Sequence, residues 1–263
     1  MALFGFIGVG NMGGALASAV CKKIDPKEVM LADHLAEKAE KLAAEYGAVV
    51  SDNATIAAEC KYIFLGVKPQ AMADMLGNIK DILSDKKPTI ISMAAGLSTN
   101  KIKELAGDIP VIRIMPNTPV SVGEGVILYC SNGVADEVVN DFVNDMQYSG
   151  KLYKIDEELM DAGCSVSGCG PAFMYTFASA VAKGGVECGL DQSQAIEFAA
   201  ATMMGAAKML LTSKKTPQEL TDAVCSKGGS TIEGVTVLKN SEFENIVADC
   251  IKAAYKRNQE LGK

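Results

Sequence analysis

The sequence predicts an α/β fold in its first half and an all-helical fold in its second. Three observations carry this. Short, continuously apolar runs alternate with amphipathic stretches up to about residue 155. A glycine-rich turn joins the first run to the first amphipathic stretch. Beyond residue 155 the pattern is helices only. Strands that read as unbroken apolar runs are buried on both faces, which is the mark of a parallel sheet covered by helices on each side.

The elements follow in order. "LFGFI" (3–7) reads as a buried strand and leads into Gly8-Val9-Gly10-Asn11-Met12-Gly13-Gly14. Met12, Ala15, Leu16, Ala19 and Val20 then recur at helical spacing. "EVMLA" (28–32) is a second strand, and Leu35, Ala39, Leu42 and Tyr46 mark one face of the helix after it. "KYIFLGV" (61–67), "PTIISM" (88–93) and "PVIRIM" (110–115) are further buried strands, and "GKLYKI" (150–155) is the last. The second half opens its helices with Asp191-x-x-Gln194, Thr216-Pro217-x-Glu219 and Ser241-x-x-Glu244, each resembling a capping box. Pro217 falls at a first helical position, where its missing N–H costs nothing. "FMYTFASAVA" (173–182) and the stretch 195–211 are apolar nearly all round. In a domain of about a hundred residues such helices need a second chain to cover them. The expected division is therefore 1–155, a Rossmann-like α/β domain, and 156–263, an all-helical domain for substrate binding and dimerisation.

Composition narrows the function. The 263 residues suffice for two modest domains with real cores. A net charge of −7 argues against a nucleic-acid partner, since such proteins cluster lysine and arginine. Residues 195–211 are interrupted by Glu197, Gly205 and Lys208 and are short for a membrane span, so no membrane is expected. The N-terminus lacks a basic region followed by a long apolar run. The eight cysteines form no C-x-x-C pair, and the one histidine, His34, stands away from them. No metal site is expected. Scattered thiols without an export signal imply a reducing compartment, the cytoplasm.

Gly8-x-Gly10-x-x-Gly13 lies after a strand and opens a helix, and Asp33 follows twenty positions after Gly13. In that setting glycines allow a tight turn and the close approach of a pyrophosphate to a helix N-terminus. A carboxylate at Asp33 would accept bonds from both ribose hydroxyls and repel a 2′-phosphate, which favours NADH; the alternative reading is a surface aspartate of the kind that caps a helix. His34 would offset the repulsion when protonated.

The stretch "CSKGGST" (225–231) is unusual in a helical domain, because each glycine weakens a helix interior by about 1 kcal/mol relative to alanine. Two readings stand side by side. Ser230-x-x-Glu233 is a capping box and the glycines form a tight turn, or the bare backbone before a helix start holds a carboxylate or phosphate. "SGCGPAF" (167–173) has the same makeup, and together the two segments suggest a substrate pocket facing the dinucleotide domain.

Taken in order, Gly8-x-Gly10-x-x-Gly13, "VKPQ" (67–70), "AAG" (94–96), "RIMPNTP" (113–119), "SGCGPAF" and "SKGGST" make the chain, over almost its whole length, resemble the pyrroline-5-carboxylate reductase family. The resemblance implies hydride transfer from NAD(P)H to the C5 carbon of a cyclic imine, giving L-proline in the last step of its biosynthesis, by a homo-oligomer built from dimers. It implies that Ile7, Gly8, Gly10, Asn11 and Met12 form the pyrophosphate loop. Asn53, Val67, Lys68 and Pro69 would line the riboses, and Met93, Ala94 and Ala95 would meet the nicotinamide. Gly228, Gly229, Ser230 and Thr231 would hold the substrate carboxylate through backbone amides, with the Thr231 hydroxyl beside the ring nitrogen as the catalytic residue.

Three positions depart from the family pattern: Cys169 stands where serine is usual, Lys227 where proline is usual, and Asp33-His34 where groups suited to NADPH are common. Two other functions remain open to the sequence. One is a β-hydroxyacid-type reductase using a helical-domain lysine as its acid, for which Lys183 is the candidate. The other is a dinucleotide-binding sensor without turnover.

Overall fold

The computed structural model describes residues 2–261. The first half is an alternation of β1 (Ala2–Ile7), α1 (Asn11–Cys21), β2 (Val29–Ala32), α2 (Ala36–Tyr46), β3 (Val49–Val50), α3 (Asn53–Glu59), β4 (Cys60–Leu65), α4 (Pro69–Lys86), β5 (Thr89–Ser92), α5 (Thr99–Ala106) and β6 (Val111–Met115). It continues through β7 (Gly125–Asn132), α6 (Asp136–Met146), β8 (Gly150–Lys154) and α7 (Met160–Ser167). The eight strands form one sheet in the order β3-β2-β1-β4-β5-β6-β7-β8, parallel except where β7 runs against β6. Chain direction across the sheet reverses between β1 and β4, the crevice where such sheets bind ligands.

Residue alternation explains why the strands read as unbroken apolar runs. Phe4 and Phe6 of β1, Tyr62 and Phe64 of β4 and Ile91 of β5 point into one core, beneath α1, α2 and α6. Ile7, Ile63, Leu65 and Ile90 point into the other, beneath α3, α4 and α5. Phe6 and Phe64 stack with ring centroids 4.4 Å apart. Strand side chains alternate faces, so a sheet with a core on each side needs an apolar residue at every position.

The second half contains α8 (Gly170–Glu187), α9 (Gln192–Thr212), α10 (Pro217–Val224), α11 (Ser230–Lys239) and α12 (Phe243–Leu261). By contacts the chain separates into one compact unit of residues up to Cys169 together with Ala254 onward, and a second of Gly170–Ala253. The expected division after residue 155 falls just past β8, whereas α7 keeps company with the sheet: its Met160 is fully buried against Met115 and Leu128. Within the second unit α8 and α9 pack together and leave an apolar groove of about 340 Å³ lined by Phe177, Val181, Leu190, Phe198 and Met203. α9 is long and apolar enough to cross a membrane by length and composition alone. Thr216 and Glu219 form the expected capping box, with Pro217 at the first helical position.

Candidate active site

The cofactor candidates of the first unit follow a single register row. Ile7 pairs with Ala32 on one side and Leu65 on the other, and Leu65 pairs with Ser92. The loops leaving those strands begin at Gly8, Asp33, Gly66 and Met93, so Gly8–Met12, Asp33–His34, Val67–Pro69 and Met93–Ala95 emerge side by side at the carboxyl edge of the sheet. Two cross-strand bonds fix the row: Gly8 N–H donates to Ala32 O at 2.8 Å, and Gly66 N–H to Ile7 O at 2.8 Å. Asn53 opens α3 beyond the neighbouring strand, with Asp52 as its N-cap. Ile7 and Ala94 are buried, Val67, Met93 and Ala95 half-buried, and Asn11, Lys68 and Pro69 exposed.

The three glycines of the first loop have different surroundings. Gly8 has φ +96°, a left-handed conformation that an L side chain resists, and a Cβ there would lie 2.6 Å from the Gly66 carbonyl. A Cβ on Gly13 would overlap the Gly8 carbonyl oxygen, which lets α1 sit tightly against β1. A Cβ on Gly10 would meet nothing within 4 Å. Gly10 is the N-cap of α1; no side chain caps that end and no acidic residue lies in its first turn. A helix start with no side-chain cap, open space at Gly10 and no acidic residue in its own first turn fits a pyrophosphate.

Asp33 differs from its expected role as an open ribose acceptor. Its Oδ2 accepts from Val9 N–H at 2.8 Å and its Oδ1 from Leu35 N–H at 3.0 Å. The carboxylate turns inward to tie the end of β2 to the glycine loop, and the side chain is only 4% exposed. Its physical reason is the unpaired Val9 amide, a buried donor that needs an acceptor. His34 lies with Nδ1 3.0 Å from Asp33 Oδ1 and its side chain 82% exposed, so the histidine presents the outer surface of this edge.

In the second unit, the chain leaves α10 at Cys225, turns through Gly228 at φ +75°, and enters α11 with Gly229 as N-cap. Ser230 is therefore the first helical residue, and of the two readings of this stretch the capping box of Ser230 with Glu233 does not form: no side chain caps this end. Gly229 N–H donates to Ser226 O at 3.0 Å, which leaves the first-turn amides of Ser230 and Thr231 as the exposed donors. Thr231 is itself exposed. Lys183 is 78% exposed on α8 and lies 3.8 Å from Glu187, a surface pair in place of a poised acid.

Two residues in this region escaped the sequence reading. Arg113 on β6 is 6% exposed and contacts Glu157 at 3.3 Å and Asp161 at 3.7 Å. Glu157 also accepts from the Thr99 backbone N–H at 2.7 Å and from the Thr99 hydroxyl at 2.8 Å. The signal was present in "PVIRIM", since a charge in a buried strand requires a partner. Asn117, also buried, donates to Ser167 O at 3.0 Å and accepts from Val126 N–H at 2.9 Å, which fixes the end of α7 directly before "GCGP".

Residues 157–261 match a family model described as pyrroline-5-carboxylate reductase dimerisation, and residues 3–96 one described as NADP oxidoreductase, coenzyme F420-dependent. The chain is 36% identical to a pyrroline-5-carboxylate reductase of Aquifex aeolicus, covering 98% of this chain and 96% of that protein. It is 33% identical to one of Glycine max, covering 98% and 95%. Among solved structures, pyrroline carboxylate reductase of Plasmodium falciparum with NADP bound superposes with a TM-score of 0.86 at 30% identity, over 100% of this chain and 98% of that one. A pyrroline-5-carboxylate reductase from Coxiella burnetii gives a TM-score of 0.91 at 28% identity, over 100% and 99%.

Proposed function

The chain belongs to the pyrroline-5-carboxylate reductase family, and we propose from that premise that it reduces 1-pyrroline-5-carboxylate to L-proline with NADH or NADPH. The observation that carries the reading is the register row at the carboxyl edge of the sheet, beside a helix start that has no side-chain cap and no acidic residue in its first turn. Reduced nicotinamide supplies the hydride when bound. The backbone of Gly8–Met12 holds the pyrophosphate. Asn53 and Val67–Pro69 line the riboses, while Met93, Ala94 and Ala95 support the nicotinamide and keep water from it.

The uncapped start of α11 holds the substrate carboxylate through the amides after Gly228 and Gly229. Thr231 is the catalytic residue: its hydroxyl orients the imine nitrogen. The nitrogen takes its proton from solvent before binding, so the protein's task is to hold two ligands in reactive geometry, an effect worth several kcal/mol, up to about 7–11 in the best intramolecular cases. A sequence whose one histidine lies at the cofactor edge agrees with this.

The Asp33 charge, although tied inward, stays close to where the 2′-oxygen arrives, so both dinucleotides serve and NADH has the lower KM. The helical part, residues 156–263, pairs two copies through α8 and α9, dimers assemble further, and the enzyme works in the cytoplasm. The test is the initial rate of NADH and of NADPH oxidation by the purified protein with and without 1-pyrroline-5-carboxylate. Substrate-dependent oxidation of both is expected; oxidation of neither would refute the activity and leave a dinucleotide-binding protein without turnover.

A further inference from the structure

Glu157 grips the start of α5, the helix that follows the Met93–Ala95 loop. We infer that Glu157 is a positioning residue for hydride transfer: through Thr99 it sets that loop in place against the nicotinamide. The inference rests on the proposed reduction of the pyrroline by NADH or NADPH.

The argument starts from the loop. Between β5 and α5 the chain turns at Gly96, with φ +77°. The loop's own hydrogen bonds lie at the long end of the range: Ala94 N–H donates to Ser92 Oγ at 3.4 Å, and Leu97 N–H to Ala94 O at 3.5 Å. A segment tied so weakly to itself takes its place from its two ends. The upstream end is β5, held between β4 and β6. The downstream end is the first turn of α5.

A helix start has N–H groups without intrahelical partners and favours negative charge beside it. Ser98 caps α5 by accepting from Lys101 N–H at 3.1 Å, but the first turn has no acidic residue of its own. The carboxylate comes from 58 positions further along the chain. Glu157, in the turn between β8 and α7, accepts from Thr99 N–H through Oε1 at 2.7 Å and from the Thr99 hydroxyl through Oε2 at 2.8 Å. Two bonds from one carboxylate to one residue fix its direction as well as its position. The apolar packing of Ile102 and Ala106 beneath the helix is non-directional and does not. Thr99 is 2% exposed, so water does not compete for these bonds.

Arg113 holds Glu157 in turn. Its guanidinium is buried, 3.3 Å from Glu157 and 3.7 Å from Asp161, and its Nε has no partner among the described residues. That charge depends on the two carboxylates. Glu157 therefore has two duties that chemistry can separate: a charge for Arg113, and two hydrogen bonds for Thr99. The first concerns stability. The second concerns rate, since a misplacement of about 1 Å at reacting groups costs on the order of a hundredfold.

The experiment separates the two duties in the full protein. Thr99→Pro removes the N–H and the hydroxyl together. Proline is accepted at a first helical position, and the Arg113–Glu157 pair is left whole. Glu157→Gln keeps an acceptor and a donor for Thr99 but takes its charge from Arg113. The readouts are kcat, KM for 1-pyrroline-5-carboxylate, the urea midpoint, and Kd for NADH and for ADP-ribose, which has the pyrophosphate and both riboses but no nicotinamide. Thr99→Pro is expected to lower kcat by about a hundredfold, with KM for the pyrroline within about threefold. Its Kd for NADH should rise by about five- to tenfold while Kd for ADP-ribose stays within about twofold, because only the nicotinamide contact is disturbed. Glu157→Gln is expected to lower the urea midpoint and hold kcat within about threefold, since the bonds to Thr99 are rescued. Thr99→Val loses the hydroxyl bond alone and reads the same effect at smaller size should the proline variant fail to fold: kcat down by about fivefold at unchanged Kd for ADP-ribose. Unchanged kcat in the Thr99 variants, or affinity for ADP-ribose lost in step with that for NADH, overturns the inference alone. No substrate-dependent oxidation of either dinucleotide by the unmodified protein overturns it together with the reading on which it rests.

Discussion

Phe4, Phe6, Tyr62 and Phe64 are fully buried within the first unit, whereas Phe198, Met204 and Leu211 on α9 are exposed in the same chain, Met204 by 72%. The two regions solve the same problem differently. The sheet has a core on each face, covered by helices of the same unit, and its central aromatic side chains are buried there. In the second unit α8 and α9 are apolar around most of their circumference, and Met174 and Tyr175 of α8 and Phe198, Met204 and Leu211 of α9 are exposed. Burying one such side chain is worth about 1.5–3 kcal/mol, and an apolar surface of this extent marks an interface. Residues 157–261 match a family model described as dimerisation, which supports a homo-oligomer. One half of the chain covers its large apolar side chains with its own elements, and the other leaves a broad apolar surface exposed.

The sharpest way to break this comparison is to charge α9. Met204→Glu places a carboxylate where the second copy must bury it unpaired, at a cost of several kcal/mol. Sedimentation should show monomer at micromolar concentration, and kcat/KM should fall by more than about a hundredfold. Fluorescence titration should show NADH binding retained, because the sheet edge lies wholly in the first unit. A fully active monomer would refute the assignment of α9 to the interface.

The next effect separates the two units by chemistry. Thr231→Ala should lower kcat by on the order of a hundredfold, the usual contribution of a positioned proton-handling group. Kd for NADH should change by less than about threefold, and Thr231→Ser should recover most of the rate. Unchanged kcat in the alanine variant would remove the hydroxyl from the mechanism.

How much of this was legible depends on what each region asks of its sequence. The parallel strands announced themselves because a sheet with two cores demands apolar residues in succession. β3 did not, since Val49 and Val50 form a two-residue edge strand too short for any period. β7 was missed for another reason: "GVILYCSN" follows a loop rather than a helix and runs antiparallel to β6, so it breaks the strand–helix rhythm. The glycine loop was legible in position, while the separate duty of each glycine depends on neighbours the sequence does not name: the Gly66 carbonyl at Gly8, the Gly8 carbonyl at Gly13 and open space at Gly10. The direction of the Asp33 side chain was not legible, because it is decided by an unpaired amide at Val9, 24 residues away. At α11 the sequence left a capping box and a bare helix start side by side, and Gly229 in the cap position with no side-chain cap agrees with the second.

Within the first unit, a pair of glycines sharpens the contrast between packing and ligand approach. Gly13→Ala forces a Cβ against the Gly8 carbonyl oxygen and should destabilise the unit by about 1–3 kcal/mol in urea unfolding. Gly10→Ala meets no atom of the protein, so the unfolding midpoint should stay within experimental error while KM for the dinucleotide rises about tenfold, the value of one backbone contact. Equal destabilisation by both variants would mean that the Gly10 backbone does not face the ligand.

The smallest effect concerns the thiols, which divide between the units as the aromatic residues do. Burial pushes the thiols of Cys21 and Cys130 up to about 11 and that of Cys60 up to about 12, all in the first unit. In the second unit Cys188 and Cys250 are exposed. A thiol whose pKa is raised by folding holds its proton more tightly in the folded chain. Its contribution is intact below the unfolded value, near 8.5, and is lost as pH rises through the window up to the folded value, because the unfolded chain gains by ionising and the folded chain cannot. The urea midpoint of the first unit should therefore fall between pH 9 and pH 11, and fall less steeply in Cys60→Ala, whatever that variant's stability at neutral pH. At pH 8 a thiol reagent should leave Cys21, Cys60 and Cys130 unmodified in the folded protein. Identical pH slopes for Cys60→Ala and the unmodified chain would show that folding does not raise the Cys60 pKa, and the burial of that thiol in the first unit would fail as its cause.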